Sequence, residues 1–250
     1  LLRLTLSRRF AIISLFCSGG GSLLRRLLHK IVPPENSLPL AITGLMNLIA
    51  FSGPKLLQVL GWSLPMHDMT AAFDRAFPFS PVWVFVYVAA FPFWIYQYSV
   101  VAKESRSLCY RLFAAKVICL LFFVLLPTHN VRPPLETGGF TGWAMRTIWL
   151  LDTPTNLFPS IHCFVSWLGT RYIYECRSLR HRGLTCTLCT VGSVLVFLAT
   201  MFTKQHVFYD VISGVAVAEI GWLVARYTGL PRLFERLNGR FLRTKLAQMI

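Results

Sequence analysis

The chain has 250 residues, of which 55% are hydrophobic and 14% are charged, and its formal net charge is +15. Because a soluble domain usually has roughly a quarter of its residues charged, this composition excludes an ordinary soluble domain. The basic residues stand in short clusters between apolar runs, which is typical of loops beside anionic lipid and not of a nucleic-acid-binding face. We therefore expect an integral, multi-pass membrane protein that binds membrane lipid and no nucleic acid.

Residues 1–37 are predicted to form a basic cytoplasmic arm, either lying on the membrane surface or disordered, because their apolar core at 10–17 is too short to span. Six later segments have the length and apolarity of spanning helices. These segments are 38–60, 82–102, 112–126, 158–174, 184–202 and 209–227. Between the first two, residues 66–78 are predicted to form a short interfacial helix on the outer face.

The distribution of lysine and arginine sets the orientation of the six predicted spans, because these residues concentrate in cytoplasmic loops. With the N-terminus inside, 19 of the 25 basic residues fall on the inner side, five on the outer side, and Lys116 within the third span. We therefore predict an all-α, six-helix transmembrane bundle at 38–230, a basic cytoplasmic tail at 231–250, and both termini in the cytoplasm.

Under this topology, three polar clusters from distant parts of the sequence share the outer face. One contains His206 and Asp210, which are four residues apart at a helix start and therefore on one helix face. A carboxylate beside an imidazole fixes its tautomer and makes the other ring nitrogen a better nucleophile or base. The alternative is a structural hydrogen bond, but ionisable groups at the edge of a span favour a function.

A second cluster is Pro159-Ser160-Ile161-His162, at the start of the fourth span. Proline favours the first turn of a helix, where free N–H groups and the helix dipole attract an anion. Ser160 would add a hydrogen bond to a phosphate oxygen, and His162 would donate a proton to a leaving oxygen. The alternative is a helix-capping serine and a buried histidine.

Arg132 and Lys204 lie on the same face and would supply positive charge for the same anion. Their alternative role is to anchor loops at the membrane surface. Together the clusters predict one pocket at the outer face, lined by Arg132, Ser160, His162, Lys204, His206 and Asp210. His162 and His206 must then lie much closer than about 15 Å, since both have to reach one phosphate.

The motifs Pro159-Ser160-x-His162 and His206-x-x-x-Asp210 resemble the second and third signatures of the type 2 phosphatidic acid phosphatase superfamily. Residues 203–211 are most similar to the branch that contains inositol phosphorylceramide synthase, an inositolphosphotransferase, and its bacterial relatives. Arg132 with the proline after it resembles the end of the first signature. The resemblance covers roughly residues 103–227 and implies a bacterial cell membrane.

The chain departs from the family pattern in each signature. Leu125 stands where the first signature has lysine, and Ile161 stands where the second has glycine. Ala199 and Thr200 stand where the third has serine and arginine, and Lys204 is expected to replace the charge of that arginine. These departures suit the phosphotransferase-like branch, in which the motifs are looser.

The resemblance implies a mechanism in which His206 attacks phosphorus and forms a phosphohistidine while Asp210 orients it. His162 protonates the leaving group and later activates the acceptor. Ser160, Arg132 and Lys204 would hold the phosphoryl oxygens. Neither a metal nor another cofactor is implied, and the sequence shows no carboxylate cluster near the motifs.

Three functions remain open at this point. The chain is either a lipid phosphatase acting on a phospholipid or polyprenyl phosphate, a lipid head-group phosphotransferase, or a non-catalytic membrane protein or transporter with the same fold. A transporter would have ionisable groups near the middle of the membrane. Lys116 and Glu219 fit that description, and we expect them to form a structural pair with each other. The sequence predicts no oligomeric state.

Overall fold

A computed structural model of the chain describes residues 32–62 and 64–244, and the regular structure of this part is almost all helix. Its α-helices are α1 (Ser37–Val59), α2 (Val84–Val100), α3 (Ser105–Leu125), α4 (Gly139–Leu151), α5 (Ile161–Glu175), α6 (Arg182–Phe202), α7 (Phe208–Tyr227) and α8 (Leu230–Phe241). Short 3₁₀ helices cover Pro34–Asn36, Ala72–Ala76, Pro81–Trp83 and Ala102–Glu104. Two strands, β1 (His67–Asp68) and β2 (Thr128–His129), pair in parallel with His67 opposite Thr128.

The described part contains five helices that are long and apolar enough to cross a membrane. They are Pro34–Val59, Pro81–Val100, Ser105–Leu125, Arg182–Phe202 and Phe208–Tyr227. The prediction of an all-α protein with membrane-spanning helices is confirmed at this level. The fourth predicted span corresponds to α5, which has 15 residues and does not meet the same length criterion.

The short helix α5 occupies the centre of the bundle. Helices α2, α3, α6 and α7 each pack against it, and α1 packs along α3. Phe164, Leu168 and Ile173 of α5 are fully buried. Because its neighbours surround it, α5 does not have to match the thickness of the lipid layer by itself.

Helix α3 begins at Ser105, seven residues before its predicted start. The predicted span leaves Arg106 and Arg111 in the preceding loop, whereas in the structure tertiary contacts stabilise both side chains within the helix. Arg106 forms an ion pair with Glu235 at 3.2 Å, and the Arg111 guanidinium lies 3.9 Å from the centre of the Trp222 ring.

Two α-helices were not predicted, and one predicted helix is absent from the described residues. Helix α4 packs against α2, and α8 occupies the predicted tail, where Phe234 is buried against Tyr110 and Phe113. Residues 66–78 contain β1 and a five-residue 3₁₀ helix in place of an interfacial α-helix. Residues 1–31 of the predicted arm and 245–250 of the predicted tail lie outside the described residues.

The predicted pair of Lys116 and Glu219 is wrong, because the two side chains contact different helices. The Lys116 ammonium donates a hydrogen bond to the Thr43 carbonyl of α1 at 3.2 Å. The Glu219 carboxylate accepts a hydrogen bond from the Trp167 indole at 2.8 Å and lies 3.6 Å from Arg171.

A glycine contact sets the distance between α3 and α7. A Cβ atom added to Gly221 would lie 2.8 Å from the Ala115 Cβ and 2.9 Å from the Ala115 nitrogen. Small residues at such crossings let helix backbones approach closely in a membrane.

Replacing Gly221 with alanine is therefore expected to force α3 and α7 apart and to destabilise the protein by about 1–3 kcal/mol. The matched control is Gly44→Ala in α1, where nothing lies within 4 Å of an added Cβ. That substitution should be neutral or slightly stabilising, since alanine favours a helix. Thermal unfolding of both variants in detergent measures the difference, and equal midpoints would contradict the prediction.

Candidate functional site

Asp210, in the first turn of α7, connects the two histidine-bearing segments. Its side chain is buried, and one carboxylate oxygen lies 3.2 Å from His206 Nδ1 and accepts a hydrogen bond from the Val207 N–H at 3.0 Å. Its backbone carbonyl accepts a hydrogen bond from the Ser160 N–H at 3.0 Å. One residue therefore orients His206 and also fixes the start of α5 against the start of α7.

A close contact one turn further along α7 supports this arrangement. A Cβ atom on Gly214 would lie 2.8 Å from the Ser160 carbonyl oxygen, so glycine is needed for the two helices to meet there. The centres of the His162 and His206 rings are consequently 6.0 Å apart. This separation is well below the limit of about 15 Å that the predicted mechanism sets for His162 and His206.

The His162 ring lies in an aromatic pocket on α2. Its centre is 4.4 Å from that of Tyr87 and 5.4 Å from that of Trp94. The Tyr87 hydroxyl donates a hydrogen bond of 2.8 Å to the Asp152 carboxylate. His162 Nε2 is buried and has no hydrogen-bond partner among the described residues. Buried polar atoms are normally paired, so this nitrogen is free to bind a ligand or water.

The two histidines face a small space that we call the inner cavity. Its volume is about 30 Å³, which is enough for about two water molecules. Its lining residues are Phe51, Lys55, Phe123, Asp152, Thr155, Asn156, Leu157, Ile161, His162 and His206. A phosphate ester would therefore have to displace water and move parts of the wall.

A larger space, which we call the outer cleft, is also lined by His206. Its volume is about 710 Å³, which is within the range of ligand pockets. Its lining residues are Asp68, Thr70, Asp74, Arg75, Phe77, Pro78, Phe79, Asn130, Val131, Arg132, Pro133, Pro134, Lys204, His206 and Val207. His206 contacts both spaces, whereas His162 lines the inner cavity and Arg132 and Lys204 line the outer cleft.

The predicted residues therefore do not line one common pocket. The two predicted phosphate-binding cations, Arg132 and Lys204, already donate hydrogen bonds to protein groups. The Arg132 guanidinium donates hydrogen bonds to the Trp149 and Asp152 carbonyls at 3.1 and 2.5 Å, and also to the Gln205 side chain. Burial lowers the pKa of Arg132, and the nearby Asp152 carboxylate partly opposes that shift. Arg132 thus joins the loop after β2 to the segments that flank the site.

Lys204 is occupied in the same way. Its ammonium donates hydrogen bonds to the carbonyls of Asp74, at 3.2 Å, and Phe77. Burial lowers the pKa of Lys204, while the Asp74 carboxylate acts in the opposite direction. Lys204 therefore fastens the loop before α7 to the segment that contains Ala72–Ala76.

Ser160 caps α5. Its hydroxyl oxygen accepts a hydrogen bond from the Cys163 N–H at 3.3 Å, and the residue is fully buried. Ser160 lines neither the inner cavity nor the outer cleft. Its position matches the structural alternative, and the geometry gives no support to its predicted contact with phosphate.

Four site residues were missed by sequence reasoning: Lys55, Tyr87, Asp152 and Asn156. Lys55 follows a glycine and a proline inside an apolar span, and this local pattern indicates a weakened helix and not a ligand group. Asn156 has a backbone φ of 57°, which asparagine tolerates better than most residues. In the sequence, Asn156 stands in a polar turn shortly after Asp152, and this pattern does not distinguish a ligand-binding asparagine from an ordinary turn residue.

A scan of protein families and searches of curated proteins and of solved structures found no match to this chain. In the described ranges, no group of three or more His, Cys, Asp or Glu side chains has the arrangement of a metal site.

The contact between Asp210 and His206 determines which nitrogen of the His206 ring can react. Because Asp210 contacts Nδ1 of His206, Nε2 is the ring nitrogen left to act as nucleophile or base.

Asp74 holds the start of α7 from outside that helix. One of its carboxylate oxygens accepts a hydrogen bond from the Phe208 N–H at 2.7 Å, and the other accepts one from the Ala71 N–H at 2.8 Å. The first N–H groups of a helix lack partners within the helix. Asp74 and Asp210 together satisfy two of these groups beside His206.

Replacing Asp74 with alanine would leave the partly buried Phe208 N–H without its partner, and we expect a loss of about 1–3 kcal/mol in stability. This corresponds to a fall of several degrees in the unfolding midpoint measured in detergent. Asp68→Ala is the matched control, because among the described residues that exposed carboxylate bonds only to Thr70, and its loss should cost less than about 0.5 kcal/mol. Equal shifts in the two variants would contradict the capping role.

Proposed function

We propose that this chain is a membrane enzyme that acts on a lipid phosphate ester through a phosphohistidine, as a phosphatase of the phosphatidic acid phosphatase type. The observation that carries the proposal is the pair of His162 and His206, whose ring centres are 6.0 Å apart, with Asp210 on one of them. Two imidazoles at this separation can act on one phosphorus, one as nucleophile and the other as general acid. The motif resemblance supports the same assignment.

In the proposed reaction, His206 Nε2 attacks phosphorus and the bond to the leaving oxygen breaks. That oxygen takes a proton from His162, and the phosphoryl group remains on His206. Water then loses a proton to His162 and attacks phosphorus, which breaks the P–N bond and releases phosphate. Asp210 stabilises the positive charge that develops on the His206 ring during the first step.

The proposal includes a topology of six spans, with the short α5 as the fourth and both termini in the cytoplasm. The supporting observation is the excess of lysine and arginine in the segments assigned to the inside. The site then lies on the outer face of the membrane. By resemblance, that membrane is a bacterial cell membrane.

A head-group phosphotransferase is the second candidate, and the outer cleft is the observation that favours it. His206 lines this cleft as well as the inner cavity. A space of about 710 Å³ has room for an alcohol acceptor as well as for water. Such an acceptor would replace water in the second step.

Purified protein incubated with ³²P-labelled lipid phosphate tests the roles of the two histidines. His206→Ala should lower phosphate release by about 1,000-fold or more and give no labelled protein, because the nucleophile is lost. His162→Ala should lower release by about 100- to 10,000-fold and leave an acid-labile phosphoenzyme, since the general acid–base group is lost. His181→Ala is the control. It changes an exposed histidine at the N-terminal end of α6, whereas the site lies beyond the C-terminal end of that helix, and it should have normal activity. Full activity of His206→Ala would exclude the mechanism.

The two candidate functions differ in their products. A panel of phosphatidate, polyprenyl diphosphate and phosphatidylinositol, resolved by thin-layer chromatography with and without diacylglycerol or ceramide, separates them. The phosphatase proposal predicts free phosphate at a rate that does not depend on the added alcohol. A new labelled lipid that forms only with the alcohol present would establish the phosphotransferase instead.

A further inference from the structure

We propose that Lys55 binds the substrate phosphate in the inner cavity, and that the substrate's apolar chain leaves this cavity past Phe51 toward the lipid. This inference rests on the proposed function, because it names the phosphate-binding group of the same site. It replaces the predicted role of Arg132 and Lys204 as the cations that contact phosphate.

The first observation is that the Lys55 ammonium lies at the inner cavity with its hydrogen-bond donors unused among the described residues. Lys55 lies on α1 and lines the inner cavity together with His162 and His206. Its Nζ lies 4.0 Å from the centre of the Phe51 ring, and it makes no hydrogen bond or ion pair within the described part of the chain. An ammonium has three donors, and here they are available to a ligand.

The second observation is independent and comes from Asn156. This residue is 8% exposed, and both its amide nitrogen and its amide oxygen are buried without a partner in the described ranges. It lines the inner cavity, as does His162, whose Nε2 is also unpaired. Because buried polar groups are normally satisfied, these groups indicate a polar ligand in the cavity.

A phosphate has the chemistry that completes this set. Its oxygens accept hydrogen bonds from the Lys55 ammonium, from the Asn156 amide nitrogen and from protonated His162. The cavity also contains the Asp152 carboxylate, which accepts the Tyr87 hydroxyl and acts electrostatically on Lys55. The Lys55 cation therefore opposes the negative charge of Asp152, and it becomes more important when a phosphate brings a second anion into the cavity.

The apolar residues of the inner cavity indicate which kind of molecule the phosphate belongs to. Phe51, Phe123, Leu157 and Ile161 are the apolar residues that line the inner cavity. Phe51 is 38% exposed on a helix that is long and apolar enough to cross a membrane. A ligand with a phosphate end at Lys55 and an apolar chain along Phe51 matches both parts of the wall, as a membrane lipid phosphate does.

The test measures binding of orthovanadate, a mimic of phosphate, to the full-length protein in detergent by isothermal titration calorimetry. Lys55→Met should weaken binding by about 10- to 100-fold, because a hydrogen-bonded charge is lost. Lys55→Arg should stay within about threefold, since a guanidinium also donates charge-assisted hydrogen bonds to phosphate-like oxygens. Arg146→Met is the matched control: it removes one exposed charge outside both spaces, and its binding should match that of the wild type.

Wild-type affinity for vanadate in Lys55→Met would overturn the inference. If that variant does not fold, Lys55→Gln and Asn156→Ala replace it, and wild-type affinity in both has the same meaning. Turnover of lipid phosphate by a Lys55→Met variant with unchanged vanadate affinity would leave the proposed function standing and remove Lys55 from it. Vanadate binding that depends on Lys55, without any phosphoenzyme in the wild type, would leave an anion site and remove the proposed function. A wild-type protein that binds no vanadate would refute the inference outright.

Discussion

The arrangement of the site depends on the hydrogen bonds that converge on Asp210. Its carboxylate contacts His206 and the N–H of Val207, and its backbone carbonyl accepts the N–H of Ser160. These bonds join the start of α7 to the start of α5 in a buried place, where each unpaired group would be costly. Because two segments about fifty residues apart in sequence are locked at this point, the histidines that each one carries meet across a small cavity.

The cations near the site divide into two groups by what they bind. Arg132 and Lys204 donate to backbone carbonyls, so their charge is used to hold loops that otherwise have little regular structure. Lys55 comes from α1 and faces the inner cavity without such partners among the described residues. Arg132 and Lys204 thus stabilise loops at the outer cleft, whereas Lys55, as we propose, binds a ligand in the inner cavity.

The sequence predicted the long apolar helices and the meeting of the two histidines, because the length of an apolar run and the spacing of a motif are local properties. It missed the first turns of α3, since Arg106 and Arg111 are stabilised by Glu235 and Trp222 from a distant helix. It also misplaced Ser160 and overlooked Lys55. A capping hydroxyl and a phosphate-binding hydroxyl have the same sequence pattern, and only the fold shows which of several cations reaches the cavity.

The shortness of α5 has a consequence for the depth of the site. Its 15 residues rise about 22 Å, whereas the hydrocarbon layer is about 30 Å thick. Arg171 and Glu175, which pair at 3.1 Å near its C-terminal end, belong at a polar boundary. Under the proposed six-span topology, the other end of α5, with His162, is recessed below the opposite boundary. The lipid phosphate that we propose as substrate would keep its chains in hydrocarbon at that depth, which avoids a desorption cost of about 0.8 kcal/mol for every methylene group.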